Sequence, residues 1–389
     1  MESLILNLFR QFYKKAEFKV SSIESREFGF LFFKKSSMLR HVGFSSVSEL
    51  KHFVLSKIPA HIYYSCALYQ HPKAKMGQKG FLGADLVFDI DADHLPAKCR
   101  VKHDRWFCLT CGMTGLGVKP ERCPACRGKK IKALTWFCEE CLSLAKEHTV
   151  KLVDFLQEDF GFSSKNVKIV FSGHRGYHVH VAIKEVQKLN ADERREIVDY
   201  VMGNNLKVNP FTFGIIQQGW RKRIAEEIAT LLNDNKLLKE LKIPKNTLKS
   251  LIQNREIILK TLKKGTLPRL KWVGEGMWQK IISFAVQRRR VLVDGVVTVD
   301  LHRLIRLPGS LHGKTGFKVT VVSNLESFDP FVDAPVFREG FLKVKVSHFP
   351  GITLLGKKYP PAHNTVLTVP KALGVLLVLK GVGEVVRVG

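Results

Sequence analysis

Ala84-Asp85-Leu86-Val87-Phe88-Asp89-Ile90-Asp91-Ala92-Asp93 decides how this chain is read. A short apolar run of this kind predicts a strand, and strand side chains alternate between faces. Leu86, Phe88 and Ile90 then point into a core. Asp89 and Asp91 share the opposite face, about 6.6 Å apart at ~3.3 Å per residue. Asp is depleted in strands. Two on one face repel unless a cation lies between them, and carboxylate oxygens suit Mg2+ or Mn2+. Two such ions ~3.5–4 Å apart clamp an in-line phosphoryl displacement. A strand end frayed into solvent, with its Asp residues as turn formers, is the competing reading. Periodicity does not choose between Asp89/Asp91 and Asp91/Asp93, and Asp85 shares their face.

The rest of the chain favours chemistry over fraying. Its 389 residues suffice for two to three domains at ~150 residues each. A composition with 45% hydrophobic and 25% charged residues is that of a globular chain. Lys and Arg number 63 against 35 Asp and Glu, a net charge of +28 with a pI near 9.8. Such a balance points to a polyanionic partner, nucleic acid or an anionic membrane, and away from an average metabolic enzyme. No apolar run approaches the ~20 residues of a membrane span. Met1-Glu2-Ser3 lacks the basic lead of a signal peptide. A soluble, cytoplasmic protein is expected.

Of eight cysteines, seven lie between Cys99 and Cys141. They include three C-x2-C pairs, Cys108/Cys111, Cys123/Cys126 and Cys138/Cys141, preceded by Cys99 and His103. C-x2-C lets two thiolates reach one Zn2+ from a tight turn. Eight ligands suffice for two closed tetrahedral sites, both structural, since a catalytic zinc keeps an open position. Spacing alone leaves the pairing open. Trp106-Phe107-Cys108 and Trp136-Phe137-Cys138 are near-copies that could share an ion. The nested arrangement is preferred because a short loop costs less to close: Cys108, Cys111, Cys123 and Cys126 on one ion, Cys99, His103, Cys138 and Cys141 on the other. Arg127, Lys129, Lys130 and Lys132 lie within this module and can touch phosphates or form a solvated basic face. Cys66 stands alone as a core thiol.

Around these motifs the chain divides into a catalytic α/β core in 1–98, a zinc-binding module in 99–141, core again in 142–185, a helical insertion in 186–288, and the core's return with a C-terminal segment in 289–389. Residues 1–15 predict an amphipathic helix with Leu4, Leu8 and Phe9 inward. Leu142, Ala145, Thr149, Leu152, Val153, Leu156 and Phe160 predict another, ended by Gly161. Ile224, Ile228, Leu231 and Leu232 form one stripe in the helical block. Strands are expected at 84–91, 167–171, 177–183, 291–301 and 317–322. The fold class is therefore a mixed α/β core with an inserted zinc module and a helical insertion. Glu384–Gly389 carries no motif.

Two further segments can hold phosphate. Ser172-Gly173-His174-Arg175-Gly176-Tyr177-His178 links two strands; its glycines allow close backbone approach and its Ser, Arg and His can donate. A plain hairpin turn is equally compatible. Leu307-Pro308-Gly309-Ser310-Leu311-His312-Gly313-Lys314-Thr315 has Pro308 where a Walker loop needs Gly, which excludes a P-loop NTPase. His312 and Lys314 remain candidate triphosphate ligands. Asp294 and Asp300 supply late carboxylates, although Asp294-Gly295 is also a common turn.

Taken in order, Arg26-Glu27-Phe28-Gly29-Phe30, Gly83 through Asp91, Ser172 through His178 and Arg306-Leu307-Pro308-Gly309-Ser310-Leu311-His312 resemble the small catalytic subunit of archaeal and eukaryotic DNA primase, the archaeal branch most closely. The resemblance covers nearly the whole chain. It implies a mixed α+β primase catalytic core that makes short RNA or DNA primers on single-stranded DNA from nucleoside triphosphates. It implies two catalytic Mg2+ or Mn2+ ions on Asp89, Asp91 and Asp294, with Asp294 rather than Asp300 as the third carboxylate. Ser172, Arg175, His178, His312 and Lys314 match positions that hold the incoming nucleotide. Cys99, His103, Cys138 and Cys141 match the family's zinc motif, so Cys108–Cys126 is an inserted second zinc knuckle. The implied partner is a large subunit with an iron–sulfur domain. No cysteine here is left for such a cluster beside two zincs. The implied location is an archaeal cytoplasm, in association with the nucleoid. A primase-polymerase of repair or end joining, a two-metal nuclease and a non-enzymatic zinc-ribbon nucleic-acid-binding protein each share part of these features.

Overall fold

Leu86–Asp91 forms a strand in the computed structural model of the protein, which describes residues 2–214 and 217–386. Arg387–Gly389, the end of the segment expected from 289 to 389, lie outside the described residues. Two compact units share the chain. Met1–Glu147, Lys165–Arg194 and Asp294–Gly389 make the first; His148–Ser164 and Arg195–Val293 make the second.

Eight strands build two four-stranded antiparallel sheets of the first unit: β1 (Phe28–Leu31), β2 (Leu39–Val42), β3 (His61–Ser65), β4 (Leu86–Asp91), β5 (Val167–Phe171), β6 (Gly176–Val181), β7 (Leu304–Arg306) and β8 (Thr320–Val322). One sheet runs β7-β3-β1-β2 and the other β8-β5-β6-β4. In the second, Asp89 stands opposite His178 and Asp91 opposite Gly176. His178 in turn faces Val170, and Val170 faces Val321. Leu86, Phe88 and Ile90 are fully buried, as alternation requires. Val87, on the aspartates' face, is buried as well, in the aromatic core of Phe9, Phe28, Phe30 and Phe44. That face therefore opens to solvent only at the C-terminal end of β4, where the two acids sit.

Helix α1 (Glu2–Lys15) packs Ile5, Leu8 and Phe9 into the same core. Helix α2 (Glu139–Glu158) ends before Gly161, which takes a left-handed φ of 72°. The strand expected across 291–301 does not form. Asp294 instead caps the short helix α3 (Gly295–Val299), its carboxylate accepting the Val296 N–H at 3.1 Å. The Val-rich run imitated a strand, while the Asp-Gly step served as a helix start. The last expected strand shortens from 317–322 to β8. The C-terminal segment pairs Phe341–Phe349 with Ala362–Pro370 and adds helix α4 (Lys371–Leu379), whose residues Ala372–Leu377 are buried. Thr114–Leu116, Arg105–Cys108 and Ile131–Leu134 form the small sheet of the cysteine-rich module.

The second unit is helical, with Gly219–Asn233 and Glu275–Arg289 its longest complete helices. Ile224, Ile228, Leu231 and Leu232 are buried as one stripe. Buried Glu227 accepts from Arg288 at 2.6 Å and Arg289 at 2.7 Å, which holds the two helices together. Among the described residues, no helix is long and apolar enough to cross a membrane.

Candidate active site and metal centres

Four acids occupy the 85–93 stretch, and the fold treats them differently. Asp85 is buried against Arg26 at 2.7 Å and accepts from Gln187 at 2.8 Å. Asp93 is paired with Arg175, and with Arg100 at 3.5 Å. Asp89 and Asp91 have no Lys or Arg within ion-pair distance among the described residues; Asp89 meets only the His178 Nε2, at 3.7 Å. The choice that periodicity left open is made by arginines distant in sequence. Asp294 joins the pair, because its backbone N–H donates to the Asp89 carbonyl at 2.9 Å. Its carboxylate lies 3.9 Å from Nε2 of the exposed His94 imidazole. Asp300 is engaged elsewhere. It accepts the His302 N–H at 2.9 Å, and its charge acts on Tyr69 and Cys66.

Burial pushes the Asp89 carboxyl up to about 7, and the neighbouring Asp91 and Asp294 push it the same way. Arg306 and Arg303 lower it only in part. The Asp89 carboxylate, at 22% side-chain exposure, thus sits on the rim under the charge of Asp91 and Asp294, and carboxylate oxygens are the donors that divalent oxygen-ligand cations take.

The Ser172–Gly176 turn is held beside this cluster by two glycines that tolerate no side chain. A Cβ on Gly176 would lie 2.0 Å from the Ile90 carbonyl oxygen. One on Gly173, whose φ is 79°, would lie 2.8 Å from the His312 Cβ. Thr315 Oγ1 donates to the Gly173 carbonyl at 2.6 Å and ties the turn to the loop that carries His312 and Lys314. The Lys314 N–H donates to His312 Nδ1 at 3.3 Å. That nitrogen is therefore an acceptor, and the proton of the neutral ring sits on Nε2. His312 Nε2 is buried with no partner in the protein. Burial and nearby Arg306 hold the His312 imidazole well below its usual range. It is a neutral ring with one orphaned donor, ready for an acceptor from outside.

The expected phosphate set is thus only partly presented. His312 and Lys314 share one loop, and Ser172 lies at the start of the facing turn. His178 is buried and neutral, its imidazole lowered to about 3 by burial and then by Arg306 and Arg303, and it faces Asp89. Arg175 is 1% exposed and turns away, to Asp93 and to the Trp136 carbonyl at 3.2 Å. It anchors the turn to the cysteine-rich module. Sequence reading passed over His61, His174 and Arg306. His174 stacks on His312 at 4.9 Å and His61 meets His312 edge-on at 4.7 Å. His174 and Arg306 lie inside quoted motifs; His61 carried no signal. Among the described residues, Arg306 and Lys314 have no carboxylate within ion-pair distance.

The eight module ligands separate into two clusters, Cys99, His103, Cys138 and Cys141, and Cys108, Cys111, Cys123 and Cys126. In each, the ligand atoms all lie within 4.8 Å of one another. The nested pairing is the one the fold adopts, and the two Trp-Phe-Cys copies fall in different clusters. Cys108 and Cys126 sulfurs are 3.5 Å apart and Cys138 and Cys141 sulfurs 3.8 Å apart. A tetrahedron with Zn–S bonds of ~2.3 Å requires about 3.8 Å between sulfurs. Both donor sets fit Zn2+ and leave no fifth position. His103 directs Nε2 to Cys141 at 3.2 Å, while its Nδ1 meets Asp104 at 2.9 Å, an outer carboxylate that orients the ring. Cys66 is buried, its thiol pushed up to about 12, as befits a core residue.

Known proteins share this arrangement of sequence. The family model described as "DNA primase small subunit" matches residues 130–325. The DNA primase small subunit PriS of Methanothrix thermoacetophila is 35% identical, over 97% of this chain and 97% of its own. That of Archaeoglobus fulgidus is 34% identical, over 96% of this chain and 95% of its own. That of Methanosarcina barkeri is 33% identical, over 97% and 94%.

Proposed function

The chain belongs to the DNA primase small-subunit family, and on that footing we propose that Asp89, Asp91 and Asp294 hold the two divalent cations of primer synthesis, with His312 and Lys314 holding the incoming nucleotide's phosphates. The protein is the catalytic subunit of a primase, a nucleotidyltransferase that serves DNA replication. The observation that carries the site assignment is the pairing of opposites: three acids without cations beside imidazoles and cations without acids.

Asp89, Asp91 and Asp294 would hold Mg2+ or Mn2+, which would supply Lewis acidity toward the primer 3′-hydroxyl and positive charge toward the triphosphate. His178 faces Asp89, its Nε2 3.7 Å from the carboxylate. His312 Nε2–H and the Lys314 ammonium donate to the phosphates as pyrophosphate leaves. Ser172 donates from the turn that Arg175 anchors. Attack of the hydroxyl oxygen on the α-phosphate forms the phosphodiester and breaks the bond to the β-phosphate.

Two zinc ions, on the two cysteine clusters, are structural in this reading. Template contact is supported by a cleft of about 1030 Å3 lined by Lys14, Lys15, Lys19, Lys168, Lys318, Arg338 and Lys371. Its charge suits the phosphodiester backbone of single-stranded DNA, whose binding then weakens with salt. The catalytic core is assigned to the first unit, which takes in 1–98 and most of 142–185 and 289–389, and the helical insertion expected at 186–288 to the second, His148–Ser164 and Arg195–Val293. Cys66 is buried and the other cysteines are committed, so an iron–sulfur cluster belongs on a large-subunit partner. Work at the nucleoid, in the cytoplasm, accords with this activity. Asp89→Ala tests the assignment: primer synthesis disappears while template binding and thermal stability persist. Retained polymerisation would refute it.

A further inference from the structure

The C-terminal segment contains a lysine in an unexpected place. Helix α4 is apolar on all sides and buried from Ala372 to Leu377, with Gly374 packed so closely that a Cβ there would lie 2.9 Å from Leu342. The chain then turns at Gly381, whose φ is 73°. Lys380 lies between them and reaches inward. Its Nζ donates to the Thr135 carbonyl at 2.9 Å and stands 2.6 Å from His174 Nε2. Its ammonium lies 5.0 Å from the centre of the Phe137 ring and 6.0 Å from that of Trp136.

No carboxylate pairs with it among the described residues. Asp104 and Asp91 act only at longer range, and Arg175 and Lys314 oppose its charge. Burial and these cations hold the Lys380 amine well below its usual range. A lysine in such a setting is costly unless an anion comes to it. In the protonated form Thr135 and His174 use two of its three donors, which leaves one for such an anion.

The contact has a consequence for the ring it touches. When an incoming anion keeps Lys380 protonated, its ammonium donates to Nε2 of His174 and that ring's proton then sits on Nδ1. His174 lies parallel to His312, with 5° between their planes. His312 carries the orphaned Nε2–H, so Lys380 fixes the surface against which that donor is held.

We infer that Lys380 is a positioning residue for the outer phosphates of the incoming nucleotide: it orients His174 and through it His312, and it brings positive charge to a pocket that has no acid of its own. The inference rests on the primase reading above and assigns the C-terminal helix a part in nucleotide binding. The sequence around Lys380 contains nothing that marks it.

Lys380→Met keeps the stem packed over Phe137 and Trp136 while it removes charge and donors. In primer synthesis by the full chain with its large subunit, we expect KM for nucleoside triphosphate to rise about tenfold, as for loss of one charge-assisted contact. Inhibition by pyrophosphate weakens by a similar factor, kcat changes less than threefold, and Lys380→Arg recovers most of the loss. KM and pyrophosphate inhibition both within twofold of the parent would overturn the inference. Should the Met variant lose its fold, 15N spectra of the unaltered protein decide: pyrophosphate shifts the His174 signals if the inference holds, and leaves them in place if it fails. That titration reads the pocket without any polymerisation, so it stands or falls separately from Asp89→Ala.

Discussion

The two cysteine clusters come from one short stretch and offer the same kind of ligand, yet they are wired into the protein differently. The His103 cluster is mostly buried. Its neighbour Asp104 accepts from His103, from the Trp136 N–H at 2.9 Å and from Arg100 at 3.2 Å, and lies 3.9 Å from Arg175. Arg175 belongs to the turn that faces the proposed nucleotide site. The four-cysteine cluster has Cys111 and Cys126 exposed and is ringed by exposed Leu109, Met113, Leu116 and Val118. Among the described residues, its hydrogen bonds reach none of the proposed chemistry. The difference teaches that ligand spacing reports where a metal can be held, while the second layer of contacts reports what such a metal would be for.

The comparison breaks most readily at the buried centre. Cys141→Ser should cost about 4 kcal/mol of stability, as losses of structural metals do. It should lower primer synthesis at least a hundredfold, with one zinc lost by elemental analysis. Asp104→Asn is the more discriminating variant, because it leaves all eight ligands in place. Zinc content should stay at two, while kcat/KM falls about tenfold through a loosened Arg175 and turn. An unchanged kcat/KM would show that the buried centre does not reach the active site. Cys111→Ser should release the other zinc, cost about 1 kcal/mol, and leave synthesis within about threefold.

The smallest effect concerns Asp89 itself. Its folded-state value of about 7 lies above the ordinary 3.8. A raised carboxyl favours the fold fully below about 3.8, and that contribution is lost as pH rises through about 7. Asp89→Asn removes the titration. Without added Mg2+, the variant should match the parent near pH 4 and melt about 2 °C higher at pH 8. Calorimetry at the two pH values checks the sign.

How far the sequence led differs from residue to residue. That Asp89 and Asp91 share one face of a strand was legible because the strand period is local, although that period did not choose them over Asp91 and Asp93. That Asp85 and Asp93 are excluded was not, since Arg26 and Arg175 reach them only in the folded chain. Asp294 was a candidate beside Asp300 and was set above it by family resemblance alone; its segment read as a strand because valines favour strands and the cap was taken for a turn. The nested cysteine pairing followed from the cost of loop closure. Lys380 and His61 left no trace, because each owes its place to packing between segments remote in sequence. Arg175 was expected at phosphate for its donors, and the fold uses those donors on Asp93 and Trp136.

An anomalous-diffraction map of crystals grown with Mn2+ and a non-hydrolysable nucleoside triphosphate addresses the carboxylate cluster without recourse to activity. The account predicts two manganese peaks about 3.5–4 Å apart, bounded by Asp89, Asp91 and Asp294, with the triphosphate against His312 and Lys314. Manganese bound elsewhere, with these three carboxylates bare beside a seated nucleotide, would contradict it.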